Sequence, residues 1–235
     1  MSPRLAPLLV ALVAACAHRQ AHIGGTPGPP AIACAADEPT CLEVQQVLER
    51  VRSNIGGWCG TTQAMGHQTL LLRGPETVPH LERALADRDA DVAAFAARLL
   101  IDHGAGDRVV AWCAAHTQAP NACADLRVEA ARTARLTAAG TWSGHLVSLS
   151  DADATAVTLR LRRDPGDLTG ELCIEARGCV PLERAALVGS LLSVRYPASD
   201  PGTTTEMLMK IGVDTRGAAF AECLTCEARL TLQRL

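Results

Sequence analysis

Cysteine has the widest chemical repertoire of the residues in this chain. The 235-residue sequence holds ten cysteines, and a thiol can form a disulfide, bind a metal as thiolate or act in redox exchange. Cys223 and Cys226 form the Cys-x-x-Cys motif "CLTC", a spacing found in redox centres. Cys113 and His116 lie three positions apart in "CAAH" and could supply two metal ligands from one helix face.

The first cysteine ends an export signal. Arg4 gives an early positive charge, an apolar run too short to cross a bilayer covers 5–13, and small residues precede Cys16. Val-Ala-Ala-Cys resembles the lipobox of bacterial lipoproteins, which implies that 1–16 is a lipoprotein signal peptide ending at a lipidated Cys16. An ordinary signal peptide with a chance cysteine is the alternative. Because Ala17 is not the aspartate that often retains lipoproteins at the inner membrane, we predict a cell-envelope protein that is lipid-anchored at the outer membrane and faces the periplasm or the cell exterior.

The other cysteines of an exported protein are expected to form structural disulfides. A redox Cys-x-x-Cys motif needs its first cysteine at a helix N-terminus, whereas a strand pattern follows Cys226. A four-thiolate zinc site from the two C-terminal cysteine pairs has imperfect spacing. His116 is more simply a surface residue. We therefore predict no metal and no other cofactor.

Geometry limits the pairing, since bridged cysteines must have Cα atoms within about 7 Å. One candidate pair spans the end of the Gly- and Pro-rich segment 17–38. One joins two predicted helices of a hairpin, and two flank predicted turns between strands. These pairs are Cys34–Cys41, Cys113–Cys123, Cys173–Cys179 and Cys223–Cys226. Cys59 is left over, and it could instead displace Cys113 or Cys123.

No arrangement of residues predicts catalysis, so we expect a protein that is not an enzyme. The motifs of serine hydrolases, zinc proteases, nucleotide-binding loops and dinucleotide folds are absent. Two Asp-x-Asp pairs lie in predicted turns. On the first predicted strand, Trp142 and His145 are the only ring-bearing residues that could face a ligand.

Composition argues against a nucleic-acid partner, and we predict none. The net charge is −3, whereas nucleic-acid binding needs a basic face. Aromatic residues make up 3% of the chain, so platforms for stacking bases are not expected. Residues 17–38 are rich in Gly and Pro and predict a tether between the lipid anchor and the folded part.

A helical period covers residues 39–138, the predicted N-terminal domain. In 78–104, apolar residues recur at helical spacing on both sides of Asp87 and Asp89, and an acidic residue there can cap the second helix. This apolar helix, Asp-x-Asp turn and small-residue helix resemble one unit of a HEAT-type repeat, which implies stacked helix pairs that offer partner surfaces. Further helices are expected at about 39–54, 61–72, 107–117 and 121–138.

From 139 to 235 the period changes to two. Alternating runs such as 155–162, with turn signals between them, predict an antiparallel β-barrel of about eight strands, so the fold class is α+β with two domains. The opening "GTW" resembles the Gly-x-Trp start of lipocalin-like (calycin-like) barrels. That resemblance implies a closed barrel in which Arg229 or Arg234, on the last strand, packs over Trp142.

Together these features predict a lipid-anchored envelope protein that acts as a non-catalytic binding or scaffolding module with a protein partner. The alternative is a carrier that holds a small apolar ligand in a lipocalin-like barrel. A cavity larger than about 300 Å³ inside the barrel would favour the carrier. A filled barrel with an apolar groove on the helices would favour the scaffold.

Overall fold

The computed structural model describes residues 32–53, 61–116, 120–147, 154–165, 167–175, 177–198, 200, 202–226 and 228–235. Cys16 and Cys59, the predicted signal peptide and most of the predicted tether lie outside these residues. The described part holds six α-helices followed by nine β-strands. The predicted α+β class, with helices first and a barrel after them, is confirmed.

The helices follow the predicted periodicity closely. They are α1 (Pro39–Arg52), α2 (Thr61–Arg73), α3 (Val78–Ala84), α4 (Ala90–Asp102), α5 (Gly106–Ala115) and α6 (Pro120–Thr133), with a 3₁₀ turn at Pro75–Thr77. Asp89 caps α4, since its Oδ1 accepts the backbone N–H groups of Asp91 at 2.9 Å and Val92 at 3.3 Å. No described helix is long and apolar enough to cross a membrane.

Helix α6 ends at Thr133, earlier than the predicted 138. The residues after it lead into the barrel: Ala138 is fully buried in the barrel core, and its carbonyl accepts the indole N–H of Trp142 at 2.8 Å. The indole of Trp142 therefore satisfies the Ala138 carbonyl, which a longer helix would have paired with a backbone N–H group.

The strands form one antiparallel sheet that closes on itself. They are β1 (Gly140–Val147), β2 (Ala154–Asp164), β3 (Asp167–Ile174), β4 (Gly178–Pro181), β5 (Arg184–Val188), β6 (Leu191–Pro197), β7 (Thr204–Val213), β8 (Ala219–Cys223) and β9 (Arg229–Arg234). The ring runs β1-β2-β3-β5-β6-β7-β8-β9 and returns to β1, whereas β4 pairs with β3 alone. Eight strands therefore close the barrel in simple up-and-down order.

Side chains fill the barrel interior. Alternate residues of each strand point inward, and their buried members form one apolar cluster. The cluster contains Ala138, Trp142, Val157, Leu159, Leu161, Leu172, Leu192, Val194, Met207, Met209, Ile211, Ala221, Leu230 and Leu232. An eight-stranded ring is just wide enough for such packing, so the centre of this barrel is a core.

The chain divides into two compact units at a place other than the predicted 138/139 boundary. Among the described residues, one unit comprises 32–53, 61–100, 116 and 120–122, and the other comprises those within 101–115 and 123–235. The predicted boundary does mark the change from helix to strand. However, the end of α4, all of α5 and most of α6 belong to the same unit as the barrel, because Asp102 and Gly104 pack against the β5–β6 turn.

The first unit contains α3 and most of α4, the helix pair predicted within 78–104. Its buried residues include Leu81 of α3 and Phe95 of α4, both on the predicted apolar faces. Asp87, in the turn between these helices, forms an ion pair with Arg52 at the end of α1. The turn aspartates therefore have two roles: Asp89 caps a helix, and Asp87 links it to another.

Candidate functional site

All four predicted disulfides are present, and the pairing is confirmed. The Cα atoms are 5.6 Å apart for Cys34–Cys41, 5.5 Å for Cys113–Cys123, 3.9 Å for Cys173–Cys179 and 5.7 Å for Cys223–Cys226. None of the described cysteines is free. The prediction for Cys59 lies outside the described residues.

The barrel disulfides cannot belong to one four-thiolate metal site. Cys173 is on β3 and Cys223 on β8, which lie on opposite sides of the eight-stranded ring. Within the part of the chain that the structure describes, two other groups bring potential ligand atoms within 4.8 Å of one another: Glu38, Cys41 and His80, and Glu171, Cys173 and Cys179. Every cysteine in these groups is in a disulfide, and a cysteine binds a metal as the thiolate.

The two predicted ring-bearing residues of β1 lie on opposite faces of the barrel wall. Trp142 is fully buried in the core, whereas His145 is exposed. They are three positions apart, and successive strand residues alternate between faces, so one ligand cannot lie against both. Of the two candidate arginines, Arg234 lies directly opposite Trp142 in the β1–β9 pairing and Arg229 lies opposite Val147.

A buried polar cluster was missed by the sequence analysis. The carboxylate of Asp102, whose side chain is 4% exposed, accepts Lys210 Nζ at 2.6 Å and Ser190 Oγ at 2.5 Å. The Ser190 amide also donates to the Asp102 carbonyl at 3.1 Å. Lys210 is the sole lysine of the sequence, which is the one signal that could have drawn attention to it.

Helices α5 and α6 form a hairpin that is fixed at both ends. Near one end, a Cβ on Gly106 would lie 3.2 Å from the Cβ of Ala130, so these two small residues allow the helices to approach closely. At the other end, the Cys113–Cys123 disulfide joins them. Arg127 adds a hydrogen bond of 3.0 Å to the carbonyl of Cys113, one of the last carbonyls of α5.

This hairpin and the barrel border an open groove of about 520 Å³, which we call the α5–α6 groove. Its surface is mostly small and apolar, with a few charged residues at the edge. It is lined by Ile101, Gly104, Gly106, Asp107 and Val110, by Arg127, Ala130, Ala131, Thr133, Ala134 and Leu136, and by Arg163, Leu187 and Gly189. Val110 is 40% exposed, so apolar surface in the groove is open to a partner.

A second depression, of about 810 Å³, lies in the barrel wall beside the groove. Strands β3 and β5 are bridged there only at Leu168 and Ala185, so the wall opens on either side of this contact. The two depressions share Arg163 and Leu187, which makes them one continuous surface. The guanidinium of Arg163 forms no ion pair or hydrogen bond with the described residues.

Comparison of the chain with protein-family models, curated proteins and solved structures finds no match. The chemistry of the surface itself is therefore what bears on function.

Proposed function

We propose that the protein is a lipid-anchored component of the cell envelope that acts as a non-catalytic binding or scaffolding module. The α5–α6 groove is its partner surface. The observation that carries this proposal is the open apolar groove next to a barrel whose own interior is filled by side chains. Exposed apolar area within a polar rim is typical of protein–protein contact sites.

The buried polar cluster supports a structural role over a catalytic one. Ser190 is 2% exposed, so its hydroxyl cannot reach a substrate in solution. Its hydrogen-bond partner, Asp102, already binds the lysine side chain. A serine nucleophile would need an accessible Oγ and a free base, and this serine has neither.

The filled interior argues against the alternative, a carrier of a small apolar ligand. Trp142, Leu159 and Met209 are fully buried in the centre of the barrel. A ligand held there would have to displace such side chains, and the loss of close packing would cost several kcal/mol, the magnitude measured when large core side chains are removed.

A crosslinking experiment in envelope extracts tests the groove. A photoreactive side chain at Ala134, within the groove, should give a saturable adduct of discrete mass. Val110→Arg should abolish this adduct, because it places a charge on the apolar surface. Val128→Arg is the matched control, since Val128 is 60% exposed on α6 but does not line the groove.

The groove would be excluded as the partner surface if both arginine variants reduced the adduct equally, or if no adduct formed. Circular dichroism of both variants should match that of the parent protein, which separates loss of binding from loss of folding.

The lipid anchor is tested separately, because it rests on Val13-Ala14-Ala15-Cys16 alone. Cys16→Ala should abolish labelling of the protein by a fatty-acid analogue and release it from membranes, since no acyl chain can then attach. Unchanged labelling would refute lipidation at Cys16 and leave the groove proposal intact.

A further inference from the structure

The Cys223–Cys226 disulfide differs from the other three in its surroundings. It closes the shortest loop, with a sequence separation of 3 against 6, 7 and 10 for the others. Both of its cysteines are partly exposed, whereas Cys113 and Cys123 are 2% and 3% exposed. Because a short loop restricts the unfolded chain least, this bond contributes least to holding the fold together.

Two hydrogen-bond donors converge on the sulfur of Cys223. The backbone N–H of Cys226 donates to Cys223 Sγ at 3.1 Å. The hydroxyl of Thr225 lies 3.9 Å from the same sulfur. Since a disulfide sulfur carries no proton, the hydroxyl must be the donor in that contact.

A helix N-terminus stabilises the thiolate of the first cysteine in redox Cys-x-x-Cys sites, and these two donors take its place at Cys223. When the bond opens, they stabilise the negative charge on the Cys223 sulfur. The strand that follows the motif therefore does not exclude redox chemistry, because the turn itself supplies the donors.

The turn is held in place without the disulfide. Leu224 N–H donates to the carbonyl of Leu208 at 2.7 Å, and Leu208 N–H donates to Thr225 Oγ1 at 3.0 Å. Both bonds tie the turn to β7. Opening the sulfur–sulfur bond therefore leaves the turn attached to the barrel, and the same geometry is available when the bond forms again.

We infer that Cys223 and Cys226 form a reversible thiol–disulfide exchange site, whose reaction partner is a dithiol carried by another protein. A partner thiolate attacks Cys226 Sγ, the Cys223–Cys226 bond breaks, and its electron pair goes to Cys223 Sγ beside the two donors. The partner's second thiolate then attacks its own bridged sulfur and releases Cys226 as thiolate, and the thiolates of Cys223 and Cys226 each take up a proton from water. Two electrons pass from the partner, which becomes a disulfide, to this protein, which becomes a dithiol.

An equilibrium experiment tests the site on the purified full chain, with dithiothreitol as the dithiol. Samples equilibrated at increasing ratios of reduced to oxidised dithiothreitol are alkylated and mapped by mass spectrometry, which also reports Cys59 separately. Cys223–Cys226 should be half-reduced at about a tenfold lower ratio than Cys173–Cys179, the difference expected for one hydrogen bond to a charged group. The β-type circular dichroism spectrum should be unchanged at that point.

A kinetic experiment uses single thiols in a Cys59→Ser background. Cys226→Ser leaves Cys223 with its backbone donor. Cys179→Ser leaves Cys173, which is also partly exposed but has no such donor among the described residues, and Glu171→Gln in the same variant removes the carboxylate that lies within 4.8 Å of its sulfur. At neutral pH, iodoacetamide should alkylate Cys223 about tenfold faster than Cys173, because the thiolate is the reactive form. Adding Thr225→Val should slow the alkylation of Cys223.

Equal alkylation rates for the two thiols would overturn the proposal. So would half-reduction of both disulfides at the same ratio of reduced to oxidised dithiothreitol, or loss of the barrel spectrum as soon as Cys223–Cys226 opens.

Discussion

At the scale of single residues, the most consequential contact joins Asp102 to Lys210. Asp102 is the last residue of α4, where the partial negative charge of the helix end disfavours a carboxylate. Its side chain is 4% exposed, and that of Lys210 is 35% exposed. The ammonium group of Lys210 and the hydroxyl of Ser190 help to stabilise this buried carboxylate.

Removing the lysine charge should therefore be costly. We expect Lys210→Met to lower the free energy of unfolding by about 2–3 kcal/mol, somewhat less than for a fully buried pair because the lysine is partly exposed. The double variant Asp102→Asn, Lys210→Met should lose less than the sum of the two single variants. Urea denaturation measures all of these values.

The matched control for this prediction is Arg160, whose guanidinium lies 2.6 Å from Glu171 with both side chains well exposed, at 56% and 40%. Arg160→Met should cost less than about 1 kcal/mol, as exposed ion pairs do. Similar losses for Arg160→Met and Lys210→Met would show that burial of Asp102 is not what makes its contact strong.

At the scale of elements, local patterns in the sequence predicted the helices, strands and disulfides that depend on short-range interactions. The 3.6-residue period located α3 and α4, and the two-residue period located β2 and β7. The disulfides were predictable because each spans a short connection, where the geometry of one turn or helix hairpin decides whether two cysteines can meet. Asp89 as the cap of α4 belongs to the same class of short-range features.

What depends on long-range packing could not be predicted from these patterns. Lys210 and Asp102 are 108 positions apart, and no periodicity relates them. Gly189, with φ of 60°, has the backbone of the α4–α5 connection so close that a Cβ would lie 2.3 Å from the Asp102 carbonyl oxygen. The α5–α6 groove depends on the same packing, since strands and helices from separate parts of the chain line it. Trp142 and His145 were both candidates because the two-residue period does not show which face of β1 lies inside the barrel.

At the scale of the whole molecule, the division into compact units indicates which fragments of the chain are stable. The change of period at 139 predicted a separate barrel domain, yet the compact unit that contains the barrel also includes 101–115 and 123–138. A fragment of residues 139–235 would lack Asp102, the partner of Lys210 and Ser190. It would also lack Ala138, which is fully buried in the barrel core and bonds Trp142.

We expect residues 101–235, produced in an oxidising compartment, to unfold cooperatively in urea and to give a mixed helical and β-type circular dichroism spectrum. Residues 139–235 should be less stable by at least about 3 kcal/mol, because a cation and a hydroxyl lose their buried partner and a buried indole loses its acceptor. Asp102→Asn in the longer fragment is the control that isolates the ion pair. It should lower the free energy of unfolding by only part of the difference between the two fragments. Equal stability of the two fragments would mean that the helices contribute nothing to the barrel, and that the domain boundary lies at the change of period after all.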